Sequence, residues 1–504
     1  MQISDQKPAI GSAAATPAAN PRRWAALIFI CLGQLMVVLD VTIVNIALPS
    51  AQHALGASDA DRQWVITAYT LAFGSLLLLG GRIADYTGRK RAFLVGLTGF
   101  AVASAVGGAA NSFGMLLAAR AVQGVFGALL APAALSLIAV NFTDTKERAK
   151  AFGIFGAIAA GGGAVGLLLG GLLTEYLDWR WCLYVNILIA IVTAAGAQGL
   201  LRDSRSADRA RFDLPGVALV TAGLVAVVYG CSEAESHAWG SARVVSLLVA
   251  GAVLIAAFVV VESRVARPLL PLRIVLDRTR GSAYVAVGLS MIAMFGMFLF
   301  FTYQMQIVMG YSPVLAGVSF LPMTGAILVS AGGIASRLIA KVPPRALMVP
   351  GLLIAAGGLF WASRLEAGSS YASVILPAEL LIGFGMGWVM APSMNYATHG
   401  VGERDAGVAS ATVNTAQQVG ASIGTALLNT VATSATATYI AAHATSRVPS
   451  PAVQAAGLVD GFTHGFTLAS IIVAASALIV AALMNTPRPQ PSATSEPALA
   501  AHLG

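Results

Sequence analysis

The chain has 504 residues, of which 57% are hydrophobic and only 10% charged, with a mean hydropathy of +0.79. Soluble domains carry about 25% charged residues, so this composition excludes an ordinary soluble globular protein. Thirty Lys and Arg against 22 Asp and Glu give a net charge of +8; the placement of the cations, set out below, accounts for this balance without a nucleic-acid partner. Three scattered cysteines, Cys31, Cys182 and Cys231, offer neither a metal spacing nor a disulfide framework.

Many stretches exceed the roughly 18 apolar residues that cross a bilayer, and the sequence lacks the short alternating segments of a β-barrel. The expected fold class is all-α polytopic membrane protein. In chain order the candidate spans are 24–48, 63–81, 92–110, 114–139, 151–173, 181–200, 213–231, 244–262, 282–308, 315–338, 346–363, 372–395, 407–434 and 462–484, fourteen in all. Residues 1–22, rich in Ala, Pro, Ser and Gln, read as a disordered cytoplasmic tail rather than a cleavable signal, and 487–504 as a second tail.

With the N-terminus inside, 24 of the 30 cations fall in cytoplasmic segments and five outside: Arg62, Arg180, Arg243, Arg364 and Arg447. This asymmetry fits the positive-inside rule and an even number of spans. The remaining cation, Arg120, lies within span 4.

Span 1 ends in Leu39-Asp40-Val41-Thr42-Ile43-Val44-Asn45-Ile46-Ala47-Leu48-Pro49. An ionised carboxylate at this depth is expensive, so Asp40 either faces a cavity and exchanges a proton or is a structural acid bonded to neighbouring helices. Spans 2 and 3 are joined by Gly81-Arg82-Ile83-Ala84-Asp85-Tyr86-Thr87-Gly88-Arg89-Lys90-Arg91. One acid, two glycines and four cations cannot lie in lipid, so an aqueous connection with a tight turn is expected here. On span 4, Leu116, Arg120, Gln123 and Gly124 place the arginine at a depth close to that of Asp40, counting 1.5 Å per residue. On span 5, Gly162, Gly166 and Gly170 recur on one face and Gly171 follows, which permits close helix packing. Trp179-Arg180-Trp181 then suits an interfacial anchor.

Span 9 is crowded with Met291, Met294, Met297, Tyr303 and Met305, flexible side chains that suit either packing or an adaptable pocket. Glu379 on span 12 is a second intramembrane acid: a further protonation site, a counter-ion for a cationic substrate, or a structural group. Gln34, Asn45, Gln123, Gln304, Gln306, Asn395, Asn414 and Gln417 are the uncharged polar candidates for a substrate cavity. Two echoes relate the halves. The stretch 119–127 lines up with 378–386, placing Arg120 opposite Glu379, and 81–85 lines up with 332–336. They imply a six-helix unit used twice, 23–205 and 266–486, with two inserted helices at 206–265; such internal symmetry is typical of secondary transporters.

The 81–91 stretch resembles the loop between the second and third helices of the major facilitator superfamily, G-x-L-A-D-R-x-G-R-K, with Ile83 and Tyr86 as its departures. The Asp40 segment, the Arg120 segment, the span 5 glycines and Trp179-Arg180-Trp181 with Asn186 resemble motifs of that superfamily's fourteen-span drug:proton antiporters. Leu167 stands where the antiporter glycine motif has proline. The resemblance implies a multi-pass bacterial inner-membrane exporter of lipophilic small molecules, cationic ones included. Asp40, Arg120 and Glu379 would serve proton coupling. Gly81, Asp85, Gly88, Arg89, Lys90 and Arg91 would gate, with Asp85 meeting a helix N-terminus of the other half. The expected partners are substrate, protons and lipid, and the expected state is a monomer, with a periplasmic partner left open. No G-x-x-x-x-G-K-[ST] or H-E-x-x-H is present, which argues against a built-in ATPase or zinc enzyme. No cofactor or metal is expected. An importer on the same fold, an intramembrane enzyme and a transport-dead sensor are the competing readings.

Overall fold

The computed structural model describes residues 22–484 apart from 59–60, 143, 202–212, 235–236, 266–267, 269, 340, 399–405 and 445–449. The side chains of Asp85 and Asn395 also lie outside the described set, as do both tails apart from Arg22. Among the described residues every regular element is helical. The long helices are α1 (Arg23–Leu55), α2 (Trp64–Thr87), α3 (Arg89–Gly108), α4 (Phe113–Asn141), α5 (Thr145–Tyr176), α6 (Trp181–Leu200), α7 (Leu214–Glu233) and α8 (Ala242–Arg264). After a short turn of helix come α9 (Arg278–Val308), α10 (Pro313–Leu338), α11 (Pro344–Ala362), α12 (Leu376–Thr398), α13 (Ala406–His443) and α14 (Pro451–Leu483).

Local chemistry sets many of the starts. Ser112, Ser241, Ser312 and Ser450 each accept a hydrogen bond from a backbone N–H three residues on. Pro313, Pro344 and Pro451 occupy a first turn, where no N–H is needed. Outward side chains such as Leu188, Ile191, Val253, Ile471 and Leu478 are exposed, and in a bilayer they meet lipid. Among the described residues eleven helical stretches are long and apolar enough to cross a membrane, so the chain is a multi-pass membrane protein.

α2, α5 and α13 are long helices as well, and they lie where the two halves meet. The packing pairs of α1–α6 recur among α9–α14: α1 with α4, α5 and α6, α3 with α4 and α6, and α2 with α4 are matched by α9 with α12, α13 and α14, α11 with α12 and α14, and α10 with α12. The two sets meet chiefly along α2 against α13 and α5 against α10, while α7 pairs with α8 and leans on α2 and α13. A helix at such a seam needs small residues for close approach more than bulk. A Cβ added at Gly74 of α2 would stand 2.7 Å from Gln418 Cβ of α13, and one at Gly171 of α5 would stand 2.7 Å from Val314 Cα of α10.

The stretch 81–91 is not the loop expected from its charge. α2 runs to Thr87 and α3 starts at Arg89, so Gly88 alone makes the turn, with φ of 108°. Its N–H bonds Ala84 and its carbonyl accepts from Ala92, so one residue closes both helices. A side chain there would be strained. α13 and α14 also outrun their expected limits, because Ala- and Thr-rich flanks continue the helix beyond the most apolar segment.

Candidate functional site

Asp40, halfway along α1, is fully buried, and everything recorded against its carboxylate is a donor. Arg120 Nη1 of α4 bonds Oδ2. Gln123 Nε2 and Asn186 Nδ2 bond Oδ1 at 3.0 and 2.8 Å. Ser104 Oγ of α3 accepts from both amides, at 2.6 and 3.3 Å. Four helices thus converge on one acid. The guanidinium is fixed in turn: Arg120 Nε donates to Val65 O at 3.0 Å, Nη1 also reaches Gln123 Oε1 at 2.9 Å, and Cζ lies 4.4 Å from the centre of the Tyr69 ring. Both Val65 and Tyr69 belong to α2. The fork and the flat face of arginine are both used, which lysine could not reproduce.

On the side of this cage toward Leu55, α1, α2, α4 and α6 close an apolar wall that includes Val44, Leu48, Val65, Leu116 and Trp179. The void it leaves is about 10 Å³, with room for at most one water. The acid is dry from that direction.

Glu379 of α12 is also fully buried, but within the other half of the molecule. Its Oε2 accepts from the Tyr371 hydroxyl at 3.3 Å, and that hydroxyl also donates to Ser319 O at 2.7 Å. The sequence echo pairs Glu379 with Arg120 by position, whereas each has its own setting.

Of the residues expected to line a cavity, Gln34, Asn414 and Gln417 are half-buried. Asn45 is buried and bonds back to Val41 O. Gln306 crosses between halves to Ile46 O at 3.0 Å. Gln123 belongs to the Asp40 cage, and Gln304 is fully buried. Gln304 shares a helix face with Phe300 and Phe301, which pack on Phe462 and Phe466 of α14; that face looks into its own half.

The glycine stripe seats α5 on α1. A Cβ at Gly162 would lie 2.9 Å from Leu35, one at Gly166 would overlap Thr42 Oγ1, and one at Gly170 would lie 3.1 Å from Ile43 Cα. Gly171 turns to α10 instead. Gly166→Leu is expected to cost about 1–3 kcal/mol by overpacking, read as a fall in thermal midpoint in detergent; an unchanged midpoint would mean that α1 and α5 can separate freely. Lys90 Nζ ties the start of α3 to Gln198 O at 2.6 Å. Between α1 and α5, an apolar groove of about 550 Å³ is lined by Leu27, Cys31, Leu35, Ile158 and Val165 among others.

Sequence reasoning missed Ser104 and Tyr69 and gave Asn186 no role in the site. It placed Arg62 outside, ahead of the second span, and gave it no role. Arg62 is buried in the turn before α2, and its Nε donates to Asn429 Oδ1 at 3.1 Å.

A profile of the Major Facilitator Superfamily matches residues 30–425. The puromycin resistance protein pur8 of Streptomyces alboniger is 54% identical over 473 residues, covering 94% of this chain and 92% of that one. The cephamycin export protein CmcT of Amycolatopsis lactamdurans is 41% identical over 414 residues, covering 82% and 85%. Among solved structures, an auto-inhibited POT family peptide transporter superposes with a TM-score of 0.65 at 16% identity, covering 94% of this chain and 99% of that one; this likeness concerns the fold alone. The chain belongs to the Major Facilitator Superfamily, and its relatives serve antibiotic resistance and export.

Proposed function

We propose that this protein is a proton-driven exporter of antibiotics or similar lipophilic small molecules, working by alternating access. The observation that carries the reading is the buried Asp40–Arg120 cage and its attachment to the seam. Arg120 is bonded to Val65 and stacked on Tyr69 of α2, and the same helix presents Thr70 and Gly74 to α13. A proton on Asp40 removes the charge that gathers Arg120, Gln123 and Asn186, so protonation there changes what holds α2. That links a proton to the contact between halves, which is what coupling requires.

In this reading α2, α5 and α13 also span, giving fourteen spans in a 6 + 2 + 6 arrangement with both termini in the cytoplasm of a bacterial cell. The half-bundles are 23–205 and 266–486, with the pair at 206–265 inserted between them. Protons enter from outside, neutralise Asp40 and favour the inward-facing state; substrate binding then displaces the proton. Glu379 is a second protonation site. The substrate cavity lies between the halves, with Gln34, Asn45, Gln306, Asn395, Asn414 and Gln417 as its polar groups. Asp85, Arg89 and Arg91 latch the halves on the cytoplasmic side. The apolar groove between α1 and α5 suits a substrate arriving from the lipid. The names of the relatives make puromycin the first compound to test.

The experiment loads cells with ethidium or puromycin and follows release with and without an uncoupler. Export that stops with the uncoupler supports the reading. Uptake in place of release would make the protein an importer, and no movement of either compound by well-expressed protein would leave the substrate assignment wrong.

A further inference from the structure

At the end of the bundle away from the chain termini, the two halves are joined by a polar cluster built around a buried arginine. Arg62 precedes α2 and is 1% exposed. Its Nε donates to Asn429 Oδ1 of α13 at 3.1 Å, and its Cζ lies 4.1 Å from the centre of the Tyr303 ring on α9. The Tyr303 hydroxyl donates to Gln52 Oε1 near the end of α1, and one turn further along α9 Gln306 donates to Ile46 O. Three helices, α1, α9 and α13, therefore meet the segment that enters α2 on one cation and one aromatic ring, and both halves contribute. Apolar contacts agree with this. The largest buried cluster combines Ile43, Ala47 and Val65 with Met297, Phe301 and Met305. The cluster around Trp24, Phe93 and Phe142 at the other end belongs to the first half alone, and the one around Ile274, Tyr284 and Val413 to the second.

We propose that Arg62 is the residue that holds the distal gate shut, through Tyr303 on α9 and Asn429 on α13, and so sets how the protein divides between its inward- and outward-facing states. A desolvated guanidinium over an aromatic face is among the stronger cation–π contacts. Its hydrogen bond to the buried carboxamide of Asn429 runs between the halves and breaks when they part. When the gate opens, water takes over both groups, so the latch is reversible. Arg62 is a positioning residue: it acts on the gate and does not need to touch substrate. The proposal rests on the alternating-access reading above, and its test uses neither substrate nor gradient, so the two can fail separately.

The test measures the distance between spin labels on exposed distal sites of each half, Leu177→Cys and Ala367→Cys. It uses purified full-length protein in lipid nanodiscs with Cys31, Cys182 and Cys231 replaced by Ala. The wild type should give a dominant short distance. Arg62→Gln should raise the long-distance population about tenfold, within the range expected for losing a buried cation–π contact. Arg62→Lys keeps the cation over the ring and should restore part of the short-distance population. Tyr303→Leu removes the ring and should match Arg62→Gln, with no further change in the double variant. Should Arg62→Gln fold poorly, Tyr303→Leu carries the same test. An unchanged distribution in folded Arg62→Gln or Tyr303→Leu would overturn the proposal, as would full additivity in the double variant.

Discussion

Arg120→Met is expected to cost about 3–5 kcal/mol of stability, the penalty typical of breaking a buried ion pair from one side. The substitution leaves Asp40 in a dry interior with only amide donors and removes the donor to Val65 O. Methionine fills the volume over Tyr69 but brings no charge. The thermal midpoint in a mild detergent should therefore fall sharply. Replacing both partners removes the stranded charge, so Asp40→Asn combined with Arg120→Met should recover much of the loss. A double-mutant cycle should show a coupling of about 2 kcal/mol or more, near the upper end for residues in contact. A loss below about 1 kcal/mol, the scale of exposed pairs, would mean that water reaches the pair in the resting protein.

Asp40→Asn should abolish gradient-driven export while leaving a folded protein. Asparagine is the same shape and can still accept from Arg120, but its side chain neither takes nor releases a proton at working pH. Uphill export should drop to the level of cells lacking the protein. Downhill exchange of labelled for unlabelled substrate should continue, because alternating access itself needs no net charge change on residue 40. That split separates coupling from binding. Loss of exchange as well would assign Asp40 to the moving parts of the gate, and full uphill export in the variant would transfer the coupling role to Glu379.

The pair at the centre of this account was legible in the sequence because charges within apolar spans are too costly to be incidental. Asp40 and Arg120 stood out against their surroundings, and helix rise alone placed them at one depth. Their companions were harder to see. A serine, a tyrosine or an asparagine in a span costs little, so Ser104, Tyr69 and Asn186 carried no comparable signal, and their convergence depends on how helices far apart in the chain rotate against each other. Arg62 gave no sign of its role either: a cation at the edge of a span does not name its partner, and Asn429, which accepts its hydrogen bond, lies 367 residues away. The burial of Gln304 was not legible, because a polar residue in a span suggests a cavity and only its neighbours Phe300 and Phe301 show which way that face turns. Charge placed 81–91 outside lipid, but charge does not determine backbone conformation, and one positive-φ glycine let two helices run almost into each other.

The most direct test is puromycin movement into inside-out membrane vesicles on an imposed pH gradient, acidic within, with wild type beside Asp40→Asn. The account predicts accumulation by the wild type that collapses with an uncoupler and is absent from the variant. Accumulation that is indifferent to the gradient, or equal in the two proteins, would contradict proton coupling through Asp40.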